Sequence, residues 1–398
     1  MRTTAKPWVH VGQAAAALAA AMGIGRFVYT PILPLMHAQA GLSAAAGANL
    51  ATANYVGYLV GAVAGTLAPG LVRSSAVLRG SLVLIAATLA GMAATHSTAL
   101  WIVLRLLAGA ASALAFVIVV SSLLSHLRDH PAHLPGWAFG GGGAGIALSG
   151  LLVLAIRSVA SWQVAWLASA ALAVVFAVLA WNLRPELPAV EGGTPVTRLR
   201  PRTHRWFSAL FASYSLEGVG YVVAGTFLVA AIEQSSPGWI GSGAWVLVGL
   251  AVVPSSAAWA WLGRRWSRPD LLFTALIVQA VGIALPALVG GVAPALISAF
   301  LFGATFLGIG TIALAAGSHL QYPRAVALLT AGYSVGQILG PLVVTPLLRN
   351  GYHQALILAA VVVATAAVAA AVLRVGFPHQ LPAADDRGVG EERVSARC

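Results

Sequence analysis

The chain has 398 residues, 59% of them hydrophobic and 8% charged, with a mean hydropathy of +0.89. A soluble domain is about one quarter charged, so this composition excludes a water-soluble globular protein and assigns the chain to the bilayer. The net charge of +12 would suggest nucleic acid in a soluble protein, but in a membrane chain it has to be read by position.

In chain order, twelve apolar segments are each long enough to cross a hydrocarbon core of about 30 Å. They run over 8–37, 46–71, 76–95, 99–124, 137–156, 162–183, 206–232, 241–262, 271–290, 294–318, 325–348 and 352–375. The fold class is therefore all-α integral membrane. Trp8, Trp101, Trp137, Trp162, Trp181, Trp206, Trp239 and Trp266 lie near segment ends, where an indole is favoured at headgroup level as an anchor.

The first segment opens with Arg2 and Lys6 before an alanine-rich run, the outline of a signal peptide. Its apolar run continues through Arg26 and Tyr29, so it is read as a retained span. In the stretch GIGRFVYTPILPLM, Arg26 and Tyr29 share a face, while Pro31 and Pro34 remove backbone donors. The prolines are expected to kink or break the outer end of this helix, as a gate or as a terminator.

The second segment carries Asn54, Tyr55 and Tyr58, and Gly57, Gly61 and Gly65 recur every four residues. Such a ridge of small residues lets helices approach closely in lipid. Asn54 needs a polar partner at depth, either a neighbouring helix or a substrate. The fourth segment holds Arg105. After it, SHLRDHPAHLPG offers His126, Asp129, His130 and His133, but Pro131 interrupts any helix that would gather them, so no metal site is expected.

The polar stretch 184–205 divides the chain into helical sets 1–183 and 206–376, and its Pro, Gly and Arg content reads as a cytoplasmic linker. In the seventh segment Tyr214, Glu217 and Tyr221 form one polar aromatic stripe. Pro254 in the eighth segment and Gly340 with Pro341 in the eleventh are further candidate hinges. The tail 377–398 is polar, mixed in charge and read as disordered.

Lys and Arg settle the orientation. The end that holds both termini carries Arg2, Lys6, the run Arg198, Arg200, Arg202 and Arg205, and the cluster Arg264, Arg265 and Arg268, whereas the other end holds Arg157 and Arg349. By the positive-inside rule both termini are cytoplasmic, and no nucleic-acid partner is needed to explain the charge.

The two sets repeat. Gly23 falls on Gly218, Gly57 on Gly249, Gly109 on Gly303, Gly145 on Gly336 and Ser125-His126-Leu127 on Ser318-His319-Leu320, at a nearly constant offset. Two pseudo-symmetric six-helix bundles related by an axis along the membrane normal are the major facilitator architecture.

GIGRFVYTPILPLM, NYVGYLVGA in the second segment, EGVGYVVAGTFL in the seventh and VGQILGPL in the eleventh resemble the YbfB/YjiJ family of major facilitator transporters. The resemblance spans nearly the whole chain and implies a twelve-helix carrier of the bacterial inner membrane. It also implies that helices 1, 4, 7 and 10 line a central cavity, which would put Arg26, Arg105 and Glu217 on it. The loop GTLAPGLVRSS is similar to the facilitator cytoplasmic signature but lacks its acid, and RLLAGAASA is similar to the helix 4 signature of proton-coupled exporters. Helix 5, GGGAGIALSG, has antiporter-like glycines without the proline.

Charged residues inside a span are costly and should meet a cavity or a partner. The repeat sets Glu217 opposite Met22, so Arg26 lies about 6 Å further out, within reach of a salt bridge. That pair is either a proton site or a static clamp. Burial disfavours an ionised carboxyl and a nearby cation favours it, so a Glu whose arginine comes and goes could bind and release protons. Arg105 either holds an anionic substrate bidentately or satisfies helix carbonyls.

No phosphate-binding loop or catalytic cluster is found, so the chain is not expected to be an enzyme and no cofactor is expected. The expectation is a monomeric, proton-coupled secondary transporter of a small organic solute, with export favoured. The alternatives are an organic-anion importer using Arg26 and Arg105, or a non-transporting membrane sensor.

Overall fold

The computed structural model describes residues 7–127, 134–185, 201–236 and 238–377. Twelve helices among them are long and apolar enough to cross a membrane, and no strand forms among the described residues. They are α1 Pro7–Ala40, α2 Ala44–Leu67, α3 Ser75–Ala93, α4 Thr98–His126, α5 Leu134–Ile156, α6 Trp162–Ala180, α7 Pro201–Ser235, α8 Ile240–Leu262, α9 Arg268–Leu288, α10 Val292–His319, α11 Ala325–Val344 and α12 Tyr352–Arg374. Local chemistry sets the starts of several. The hydroxyls of Ser43, Ser74, Ser97, Ser161 and Ser267 accept from backbone N–H groups in the first turns of α2, α3, α4, α6 and α9. Gly41, at φ 65°, ends α1 in the left-handed region that only glycine enters cheaply.

In the first half, α2 packs along α4, α3 along α4 and α6, and α5 against α1. In the second, α7 lies between α11 and α12, while α9 joins α10 to α12. The halves meet along α5 with α8, along α2 with α11, and where the Tyr29–Ala40 part of α1 crosses α7. The most apolar windows of α1 and α7 are 94% and 83% buried, against 33 to 50% for the other helices, so these two form the axis of the molecule.

The repeat is visible in the packing. Gly145 lies against the backbone of Gly23 as Gly336 lies against that of Gly218; Gly109 meets the carbonyl of Asn54 as Gly303 meets that of Val248. Gln39 at the end of α1 accepts from the Trp162 N–H, and Gln234 at the end of α7 accepts from the Tyr352 N–H. The repeat departs from itself at Gly57 and Gly249: the first packs on Leu106 inside its own half, the second on Ala147 across the interface.

Four expectations need correction. The first helix breaks earlier than its prolines: helix Pro7–Leu18 passes through a π-helical turn, Ala19–Ile24, and a non-helical stretch over 25–28 before helix Tyr29–Ala40. Pro31 cannot donate to the Phe27 carbonyl and its ring crowds it, so the disruption falls on the preceding turn. Trp101 and Trp162 are not headgroup anchors; both are buried, packed edge to face at 5.5 Å, with the Trp101 indole donating to the Met92 carbonyl. Residues 201–205, assigned to the linker, already belong to α7. The eleventh helix ends at Val344, and a 3-10 turn, Leu347–Asn350, follows. Asp129, His130 and His133 lie outside the described residues, as do most of the linker and nearly all of the tail.

Candidate functional site between the halves

The break in α1 creates the site. Residues 25–28 interrupt the helix midway along α1, and Arg105 of α4 donates from Nη1 to the Gly25 carbonyl at 3.3 Å and from Nη2 to the Arg26 carbonyl at 3.1 Å. Its guanidinium lies 4.8 Å from the Tyr29 ring. Asn54 of α2 donates to the Arg105 carbonyl at 2.9 Å. Arg105 is thus engaged with backbone, the second of the two readings its position allowed.

Arg26, 4% exposed, reaches the opposite half. Its Nη2 donates to Oε1 of Gln337 on α11 at 2.7 Å. Its guanidinium lies 4.1 Å from the Tyr58 ring, 4.8 Å from Tyr55 and 5.2 Å from Phe27. Arg26 and Tyr29 therefore do not share a face: the Tyr29 hydroxyl donates to the Gly47 carbonyl and its ring stacks beside Trp166 inside the first half. The i, i+3 rule holds only for an unbroken helix.

The expected Arg26–Glu217 pair is absent. Glu217 is buried and neither carboxylate oxygen has a hydrogen-bond partner. It faces Gln279 of α9, itself fully buried, although no hydrogen bond of ordinary geometry closes between them. Glu217 thus turns into its own six-helix set, while the broken backbone of α1 turns Arg26 to α11 and α2.

Tyr214 and Tyr221 do lie on one face of α7, joined by Tyr333 of α11, which stacks on Tyr214 at 4.4 Å and on Tyr221 at 6.0 Å. Tyr221 meets Phe306 at 4.9 Å, and Phe306 meets Phe27 edge on at 5.3 Å. A continuous aromatic path therefore runs from the second half to the residue beside Arg26. Gly340 packs against Val219 and Val222 of α7, and Pro341 lies inside α11. Gly57 and Gly61 seat α2 on the carbonyls of Leu106 and Ala110, with Gly65 against Val117.

Gln337, Gln279 and Tyr333 were missed in the sequence. Gln279 is a polar residue within the apolar run LIVQAVG, and the rule that singled out Asn54 would have found it. Gln337 and Tyr333 lie four residues apart on one helical face.

The molecule is closed at the end opposite the termini. Residues 23–33 of α1 and 220–232 of α7 are buried throughout. Across the halves, Thr30 donates to the Gly225 carbonyl, and Arg157, just past the end of α5, pairs with Glu233 of α7 at 2.6 Å and reaches Ser242 at 3.2 Å. Among the described residues no three His, Cys, Asp or Glu side chains gather to hold a metal.

A family model described as "Uncharacterised MFS-type transporter YbfB" matches residues 18–374. No curated protein matches the chain. Among solved structures, the crystal structure of a mutant of nucleoside transporter NupG superposes with a TM-score of 0.72, covering 91% of this chain and 99% of that one, at 12% identity. A likeness at that identity is one of fold.

Proposed function

The chain belongs to the family of MFS-type transporters described under YbfB, and is a multi-pass membrane transporter rather than an enzyme; from that premise we propose proton-coupled carriage of a small organic solute across the bacterial inner membrane. Movement is by alternating access between the two six-helix sets. The observation that carries the reading is the hydrogen bond from Arg26 of one half to Gln337 of the other, inside a buried polar cluster on the molecular axis. A solute entering that cluster must part the two groups, which links occupancy to the relative position of the halves.

Glu217 is the proposed proton carrier. A buried carboxylate with no cation beside it is costly, whereas the protonated acid can donate to the Gln279 oxygen. The basic residues at the terminal end, Arg73, Arg79, Arg264, Arg265 and Arg268 among them, support a cytoplasmic location for both termini. The observed closure is then toward the outside. The export signature of the fourth helix rests on Arg105, whose hydrogen bonds to α1 give it a structural task, so the assay must read the direction.

The test is pH-gradient-driven flux in proteoliposomes over a panel of organic acids, amino acids and organic cations. Gradient-dependent movement of a solute, lost in Glu217→Gln, supports the reading. Folded protein that moves neither solute nor protons would favour the non-transporting sensor.

A further inference from the structure

We propose that the solute is a small aromatic monocarboxylate, its carboxylate on the Arg26 guanidinium and its ring among Tyr58, Tyr221 and Tyr333. This rests on the carrier reading and adds the chemical class of the cargo. Arg26 and Arg105 are the buried arginines among the described residues, and Arg105 is held by the Gly25 and Arg26 carbonyls. Arg26 is the one that remains. No acid bonds it: Gln337 offers a neutral oxygen, and the Arg26 Nε is buried without a partner.

A guanidinium sealed from water without an anion is a costly arrangement, and one that an anion completes. Its planar fork matches a carboxylate through two parallel hydrogen bonds, where a Gln oxygen accepts only from one nitrogen. The carboxylate would take the Nε edge and displace Gln337. That exchange removes a hydrogen bond tying α1 to α11, so binding itself loosens the contact between halves.

The surroundings select the rest of the molecule. Tyr55, Tyr58, Tyr221 and Tyr333 all lie close enough to act on the Arg26 charge, and Phe27 and Phe306 continue the wall. Flat rings in offset or edge contact suit such walls, with a gain of about 0.5 to 1.5 kcal/mol per aromatic pair beyond area burial. A second negative charge on the solute would find Arg105 already engaged.

The probe is benzoate, titrated onto the purified full chain in detergent without any gradient, followed by calorimetry and thermal unfolding. Cyclohexanecarboxylate carries the same charge without a π face, and benzamide keeps the ring without the charge. Benzoate is expected to bind and raise the melting temperature, cyclohexanecarboxylate to bind about tenfold more weakly, and benzamide not to bind. Tyr58→Leu should weaken benzoate and leave cyclohexanecarboxylate unchanged. Arg26→Gln should abolish benzoate binding. Should that variant fail to fold, Gln337→Glu gives the guanidinium an internal anion, so it should fold and exclude benzoate. The proposal is overturned if wild-type protein ignores benzoate, if the two carboxylates bind equally, or if Gln337→Glu binds benzoate normally. Binding is read without a gradient, so absent flux with intact binding would count against the carrier reading alone.

Discussion

Arg105 donates to the backbone carbonyl of Arg26 at 3.1 Å, so one buried arginine holds the segment that presents the other. With its second bond, to Gly25, it satisfies two carbonyls that the break in α1 removes from the helical ladder. Losing both leaves buried acceptors unpaired, at about 1 to 3 kcal/mol for each group. Arg105→Ala should therefore lower the melting temperature and the yield of folded protein whether or not a solute is present. Arg105→Lys keeps one donor position and should fall between. A fully stable Arg105→Ala protein with altered solute affinity would return Arg105 to the binding site.

Glu217→Gln removes a carboxyl that has no partner and keeps its shape. Its folded stability should match or exceed that of the wild type, because the new amide can exchange hydrogen bonds with Gln279 at no charge cost. Gradient-driven flux should be lost, while exchange of solute across equal pH persists. Flux that still follows the pH gradient in this variant would remove Glu217 from coupling.

The twelve spans and the duplicated unit were legible because each rests on local pattern: apolar length, and a glycine at constant offset. Even the His126 and His319 correspondence falls at two equivalent helix ends. The site was legible only in its membership. Arg26, Arg105 and Glu217 stand out because charge at depth is expensive, but their partners are set by contacts such as Arg26 with Gln337, 311 residues apart in the chain. Only a first helix that stays straight through residue 26 would bring Arg26 to Glu217. Pro31 breaks it one turn upstream of itself, which sends Arg26 toward α2 and α11.

Arg157 and Glu233 pair across the two halves at the end opposite the termini. Both side chains are mostly buried, so the pair is worth on the order of 1 kcal/mol in the closed form, enough to shift a two-state population about fivefold. Glu233→Gln should raise the fraction open at that end. A cysteine replacing Thr30, which bonds Gly225 across the same closure, reports on this. Its labelling by a membrane-impermeant maleimide should rise about fivefold in the Glu233→Gln background. The single native thiol, Cys398, is replaced by Ser first. Unchanged labelling would mean that the ion pair does not hold the gate.

The glycine ridge of α2 gives a graded prediction. A Cβ at Gly57 or Gly61 would run into the carbonyls of Leu106 and Ala110, which are backbone of α4 and cannot rotate aside. At Gly65 it would meet the Val117 side chain at 3.3 Å, a contact that a small rotamer shift relieves. Gly57→Ala and Gly61→Ala should each cost about 1 to 3 kcal/mol through forced separation of α2 and α4, and Gly65→Ala much less. Gly80 of α3 has open space around it, so Gly80→Ala should be neutral or stabilising by up to about 1 kcal/mol from helix propensity. Because α2 also carries Asn54 and Tyr58, separation at Gly57 moves the platform under Arg26. Thermal unfolding should rank Gly57 and Gly61 as most damaged, then Gly65, then Gly80. Equal effects at all four positions would mean that close approach to α4 is not what the ridge provides.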